Sequence, residues 1–424
     1  MYTFRSQAGH KQRGTYFITT QAYSTIMGEF TDMYNIIPKP SDFHISEEVG
    51  FLLPDALESL PEYFKPWGDI ADNLECLTEM KTVRKHVEQL PLLDYTRLQG
   101  HREYRLAHVQ LAFTAAAYVW QDGDNDPAKV LPKCISVPLC GVSKHLGLPP
   151  LVCHPSVMLA NWRKINPQGN LDIENLYCIC KVTASQQISW FLLTTCLVEL
   201  AFARGLPDML DAFKMVVENN EEKLITCLDN MVDTLNEMKR SVARMHEKLE
   251  PPVFYNKIRP FLSGWGNGSK TLPDGLIYEG VSPIPQAYIG GSAAQSAVLH
   301  CYDAALGIAH DKDKQSFLDD MLNYMLPPHR AFVQCLRQAP SIKHFVHSSN
   351  SEALTSAYDN CVKVLAEFRS YHINLVARYI VCAAQEARNR DHASLSDTGT
   401  GGTAIMPFLK SIRDSTNFSQ INSN

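Results

Sequence analysis

The sequence predicts an all-α protein, with a smaller, mainly helical part over residues 45–182 and a larger helical one over 183–424. Three observations carry this. Long runs free of Gly and Pro repeat apolar residues at three- and four-residue spacing, the signature of helices with one buried face. Strand-like sequence is confined to a short stretch around LYCICKV (176–182). From Ser189 onward the character is helical and stays so.

Taken in order, residues 1–44 read as a disordered polar extension ending in the turn-like Pro38-Lys-Pro40-Ser41. Short helical runs follow, broken at Pro54, Pro61 and Pro66, with Phe51, Leu52, Phe64, Trp67 and Ile70 as core candidates. Helices are expected at about 74–90 and 102–121, the second closed by the acidic turn from Asp122 to Pro127. Residues 130–150 carry four prolines around one short helix, and another helix is expected at 155–164. WFLLTTCLVELAFAR (190–204) is apolar nearly all round, as a helix buried inside a large domain should be. Helices at about 208–217, 220–246, 251–262, 292–308, 314–325, 328–338 and 351–385 complete the pattern, with a last short one in FLKSIRDST. The interruption at 263–291 is rich in Gly and Pro, and a loop of that length is more often functional than filler.

Composition excludes several classes. Hydrophobic content of 45% and charged content of 20% describe a globular chain with ample core. A net charge of −6 and a pI near 6.2 draw it to neither nucleic acid nor an anionic membrane. No apolar run approaches the roughly 20 residues that span a bilayer, and the N-terminus lacks the apolar core of a signal peptide. The 12 cysteines are scattered, without a CxxC. A reduced, cytoplasmic protein is expected, in which the sequon Asn267-Gly268-Ser269 stays idle.

Residues 351–385 hold one histidine, His372, in mid-helix, with Ser351 as N-cap. At about 100° per residue, Cys361, Leu365, Phe368, Val376 and Tyr379 fall within roughly 40° of it, and Lys363, Glu367, Asn374 and Arg378 lie opposite. Arg369 sits on the flank of this buried stripe. Periodicity alone leaves His372 either a satisfied core residue or a ligand. No GxSxG, Walker A, HExxH or dinucleotide fingerprint occurs. His344 and His347 lie in a polar stretch that reads as solvated, and GTGGT (399–403) lacks the strand and lysine of a phosphate loop.

Arg369-Ser-Tyr-His372, within FRSYHINLVARYI, resembles the proximal-histidine helix of the indoleamine 2,3-dioxygenase family. The resemblance runs through GFLLP (50–54), LPKCISVPL, LGLPP, LANW (159–162), RPFLSGWG (259–266), GLIYEG (275–280), GGSAAQS (290–296) and GTGGT in the same order. It implies a monomeric enzyme binding haem b, with iron Fe2+ in the active state. Such an enzyme uses O2 to open the pyrrole ring of L-tryptophan to N-formyl-L-kynurenine. By the same resemblance His372 is the axial ligand, Arg369 a propionate partner, Phe254 the indole platform and Arg259 the carboxylate anchor. Phe191, Thr195, Leu262, Gly291, Ser292 and Ala293 line the pocket, and Thr400 closes over the substrate near its ammonium group. No residue acts as acid or base, so the pocket positions substrate and excludes water. An external reductant restores ferric protein.

Two departures stand out. Thr195 replaces a serine common in mammalian members, and His154 replaces a tyrosine of the high-affinity mammalian enzyme, with Val157 and Met158 following. Weaker tryptophan affinity is expected. The resemblance extends to gastropod myoglobins that store oxygen, and Phe254, Arg259 and GTGGT favour the enzyme. The bland readings, Phe254 as core, Arg259 as surface charge and Tyr278 as packing or a phosphorylation site, stay open at this point.

Overall fold

The structure, a computed structural model, describes residues 37–266, 269–389 and 404–422. Residues 1–36, most of the expected extension, therefore lie outside it, as do Asn267, Gly268 and all of GTGGT with Thr400. Residues 37–44 are structured. A 3-10 turn at Pro40–Phe43 buries Phe43 edge-on against Phe332, at 5.5 Å between centroids. Packing thus starts earlier than the expected boundary at residue 45.

The architecture is all-α. The helices that matter for the site are α1 (Lys65–Glu79), α2 (Gly100–Val119), α3 (Lys133–Leu146), α4 (Gln186–Val217), α5 (Glu221–Ala243), α6 (Ala297–Ala305), α7 (Pro327–Gln338), α8 (Glu352–Val376) and α9 (Ile405–Asn417). α4, α5 and α8 pack side by side, and α9 lies along α8. Gly205 permits the closest approach of α4 to α5: a Cβ there would stand 2.1 Å from Thr234 Oγ1.

Proline accounts for most departures from expectation. Pro66 opens α1 in its first turn, where its missing N–H is unneeded, rather than breaking a helix. Pro138 sits inside α3, so 130–150 holds a 14-residue helix. Pro207 sits inside α4, fusing the two helices expected at 190–204 and 208–217 into one of 32 residues. Each proline removes one backbone bond, and the buried residues on both sides hold the helix together across it. Fusion also corrects the expectation about apolar length. Among the described residues α4 alone is long and apolar enough to cross a membrane, with mean hydropathy 1.3, yet 67% of that window is buried inside the protein. The helix expected at 155–164 is only the short turn His154–Val157.

The long interruption is not structureless. β4 (Leu276–Tyr278) and β5 (Ser282–Gln286) form a hairpin, and β1 (Val130–Leu131) adds to it in parallel, in the order β1-β4-β5. A second small sheet pairs β2 (Arg163–Lys164) with β3 (Leu176–Tyr177), where strand sequence was expected. From Ile37 onward the chain is one compact unit. The parts on either side of residue 182 meet in its core, with Phe51 stacked on Phe202 at 5.7 Å.

Candidate active site

α8 follows the sequence closely. The Ser351 hydroxyl accepts from Leu354 N–H at 3.3 Å, satisfying one of the orphan donors of the first turn. Cys361, Leu365, Phe368, Val376 and Tyr379 are all buried, and Lys363, Glu367, Asn374 and Arg378 are all exposed. His372 lies between Phe368 and Val376 on the buried stripe but is itself only half-buried, and it makes no hydrogen bond among the described residues. Desolvation by its surroundings lowers its pKa to about 4, so the imidazole is neutral at pH 7. A neutral ring with uncommitted nitrogens is the form that binds a metal.

Two turns beyond His372, the α-helix relaxes into a π-helical turn, Ala377–Cys382, which carries Tyr379. A second π-turn, Phe254–Ile258, lies against it: Phe254 meets Tyr379 at 5.9 Å, and Tyr255 packs with Ile380, Ala383, Ala384 and Ala387. π-turns of this kind recur at functional sites. In this one the Arg259 N–H donates to the Phe254 carbonyl, a five-residue closure. In an α-helix, residues five apart are splayed by roughly 140°; the wider turn brings them towards one side. Phe254 is 8% exposed and Arg259 4%. Arg259 is therefore no surface charge. Its guanidinium stands 5.4 Å from the centre of the Tyr255 ring, and its field offsets part of the burial that raises the Asp124 pKa.

α4 supplies the facing wall. Phe191 touches Phe254 at 5.1 Å between centroids, and Thr195, one turn on, donates its hydroxyl to the Phe191 carbonyl at 3.1 Å. That hydroxyl is engaged by its own helix and is not poised as a base. Beyond Arg259, two stretches of backbone come into close approach. Gly291 N–H donates to Leu262 O at 2.9 Å, and a Cβ on Gly290 would stand 2.2 Å from that same oxygen. A Cβ on Gly264 would likewise stand 2.2 Å from Tyr288 O, so neither position admits a side chain. Ser292 caps the 3-10 turn Ala293–Gln295, accepting from Ala294 N–H, and Ala293 is exposed.

Arg369 is 5% exposed and heavily engaged. Nη2 forms a fork on Asp303 at 2.7 and 2.8 Å, Nη1 donates to Thr416 of α9, and His310 Nε2 meets the same carboxylate at 3.1 Å. Burial pushes the Asp303 carboxyl up, but Arg369 and His310 together hold it below the usual range. Arg369 thus ties α6, α8 and α9 together. Its expected place at a propionate rests on the same guanidinium, whose terminal nitrogens are bonded here to Asp303 and Thr416; Nε is buried and has no partner among the described residues.

Sequence reasoning missed one cluster. His154 Nε2 donates to Glu199 at 2.8 Å and half-buried Ser296 Oγ donates to the same oxygen at 2.7 Å, with His154 and Glu199 both buried. The legible signal was Glu199 itself, a lone charge in an apolar helix, which has to find a partner. Tyr278 is buried and donates to Pro150 O at 2.8 Å, which makes it a packing residue, while His344 and His347 are exposed.

The family model for indoleamine 2,3-dioxygenase matches residues 39–419, nearly the whole chain. The chain belongs to the indoleamine 2,3-dioxygenase family. Mouse indoleamine 2,3-dioxygenase 2 is 45% identical over 380 residues, covering 88% of this chain and 93% of that protein. Mouse indoleamine 2,3-dioxygenase 1 is 38% identical over 383 residues, covering 88% and 94%. Myoglobin of Haliotis diversicolor is also 38% identical, over 377 residues, covering 89% and 97%. The family is haem-dependent, and the residues present fit that group. A neutral, unbonded imidazole stands on an otherwise apolar stripe, and two turns away that stripe joins the Phe254–Phe191 wall.

Proposed function

We propose that this chain is a haem-dependent dioxygenase that uses O2 to open the indole 2,3-bond of L-tryptophan, giving N-formyl-L-kynurenine. The observation that carries the reading is the π-turn, which holds Phe254 and Arg259, both buried, towards one side and opposite Phe191. An aromatic face for the indole and a cationic fork for the carboxylate are what an aromatic amino acid requires.

His372 would hold haem b by its iron. When bound in the ferrous state, that group supplies the site at which O2 is activated. The chain's own residues do the rest. Phe254 packs on the indole, and Arg259 fixes the carboxylate and so the direction in which the ring enters. Phe191, Thr195 and Leu262 exclude water around the reacting bond, and Gly291, Ser292 and Ala293 bring backbone close at the edge. Thr195 keeps its proton on the helix carbonyl, and no side chain described at this site is placed as a general base. Binding and orientation are therefore the protein's main contribution. Thr400 lies outside the described residues, and its contact with the substrate ammonium rests on the resemblance alone. The remaining features follow the family: a monomer in the cytoplasm, served by an external reductant.

Oxygen storage is the second reading, favoured by the similarity to a Haliotis myoglobin. Haem-loaded protein given L-tryptophan, ascorbate and methylene blue separates the two by N-formylkynurenine absorbance. Product supports the dioxygenase; a stable oxy complex without product supports storage. Arg259→Ala should abolish turnover with the haem spectrum intact, and His372→Ala should lose the haem. With Thr195 and His154 in place, a low-micromolar Michaelis constant would contradict the expected weak affinity.

A further inference from the structure

Phe191, Thr195 and Glu199 follow one another at four-residue spacing along one face of α4. The first two line the proposed pocket. Glu199, 2% exposed, is the charged end of the row. Its Oε1 accepts from His154 Nε2 at 2.8 Å and from Ser296 Oγ at 2.7 Å. Those two donors belong to different walls.

His154 opens the turn His154–Val157, which α2 holds from behind. Arg105 Nη2 donates to Pro155 O at 2.7 Å, and His108 meets Ser156 Oγ at 2.5 Å. Because His108 Nε2 faces the Pro149 carbonyl at 3.1 Å, that nitrogen carries the proton and Nδ1 accepts from the Ser156 hydroxyl. Ser296 ends the Gly290–Ser296 segment and caps α6, accepting from Val298 N–H. The two walls are also joined directly. His154 N–H donates to Gln295 Oε1 at 3.0 Å, and Gln295 Nε2 donates to Gly290 O at 2.8 Å. Hydrogen bonds from Glu199 to His154, from His154 to Gln295 and from Ser296 to Glu199, with the Gln295–Ser296 peptide bond, therefore close a ring.

Most buried polar side-chain atoms have a hydrogen-bond partner. Glu199 Oε2 is buried and makes no hydrogen bond among the described residues, an expense in free energy that burial of a polar group carries without a partner. We propose that Glu199 is a positioning residue: it clamps the His154 turn and the Gly290–Ser296 segment at a fixed separation, and so sets the width of the pocket for an indole-sized substrate. It acts through His154 and Ser296 and does not touch the substrate. This inference rests on the dioxygenase reading for its substrate, though not for the clamp itself.

The test uses haem-loaded Glu199→Gln, Ser296→Ala and the double variant. In the ferrous carbon monoxide complex, the C–O stretching band reads the order of the pocket with or without turnover. Wild type should give one narrow band, and Glu199→Gln a broadened or split one, with far-UV dichroism and the haem spectrum unchanged. The KM for L-tryptophan should rise about tenfold, the loss of one charge-assisted hydrogen bond, with kcat falling far less. The double variant should add little to either single one, because both release the same clamp. An unmoved carbonyl band, or additive effects on KM, overturns the proposal. If wild type makes no N-formylkynurenine, the dioxygenase reading fails, and the carbonyl band still decides the clamp. If Glu199→Gln does not fold, Ser296→Ala, which removes one donor, carries the same comparison.

Discussion

Lowering the pH from 7 to 5 should destabilise this protein by several kcal/mol through two buried histidines. His108 and His329 are fully buried, and desolvation pushes their pKa values down from 6.5 to about 4 and about 3. Arg105 adds repulsion to both, and hydrogen bonds to backbone at Pro149 and His44 offset part of it. The folded state therefore keeps both rings neutral, while the unfolded chain protonates them below about pH 6.5. Protons bound only by the unfolded state favour unfolding, so stability is full above that pH and is lost as pH falls towards the folded values. Worked from the two pairs of values, the loss at pH 5 is about 2 kcal/mol for each histidine, or ~4 kcal/mol together. Against a typical total of about 5–15 kcal/mol this is large. Urea unfolding followed by far-UV dichroism at pH 7, 6 and 5 measures it, and His329→Gln should make the pH-dependent loss smaller by about 2 kcal/mol. A change below about 1 kcal/mol between pH 7 and 5, or an unaltered pH dependence in His329→Gln, would refute the reasoning.

Three further outcomes are expected. Gly290→Ala should separate the Gly291–Leu262 pair, because the added methyl meets a backbone oxygen at 2.2 Å; tryptophan affinity should drop severalfold while haem binding persists, as a spectral titration would show. Phe254→Ala should cost about 3–5 kcal/mol in stability, since it empties a buried position between Phe191 and Tyr379, and should raise KM even where the variant is folded. Ser351→Ala removes the N-cap of α8 and should cost about 1 kcal/mol by urea titration with no change in the haem spectrum.

The parts of this fold that depend on period were legible in the sequence. α8 is the clearest case: its cap, its buried stripe and its exposed face were all readable because burial follows the 3.6-residue repeat. The parts that depend on tertiary rescue were not. Pro138 and Pro207 read as breaks, yet both lie inside helices whose burial outweighs one lost backbone bond. The β4–β5 hairpin was hidden because its prolines, Pro283 and Pro285, read as loop. At the site, the residues named by resemblance could not be placed relative to one another from spacing, because a π-turn has no compositional mark. Glu199 was visible as a charge out of place, but its partners His154 and Ser296 are 45 and 97 residues away in the chain.

The facing π-turns have a consequence for how this protein can change length. A π-turn holds one more residue than the α-turn it replaces, so deleting a residue from Ala377–Cys382 would restore a regular helix. One full turn would still replace one full turn, so Ala383, Ala384 and Ala387 would keep their face towards Tyr255. The same deletion within Phe254–Ile258 would leave Arg259 four residues from Phe254, about 40° away on one face of an α-helix. Each of these two turns can therefore lose one residue without turning its flanking residues away from the site.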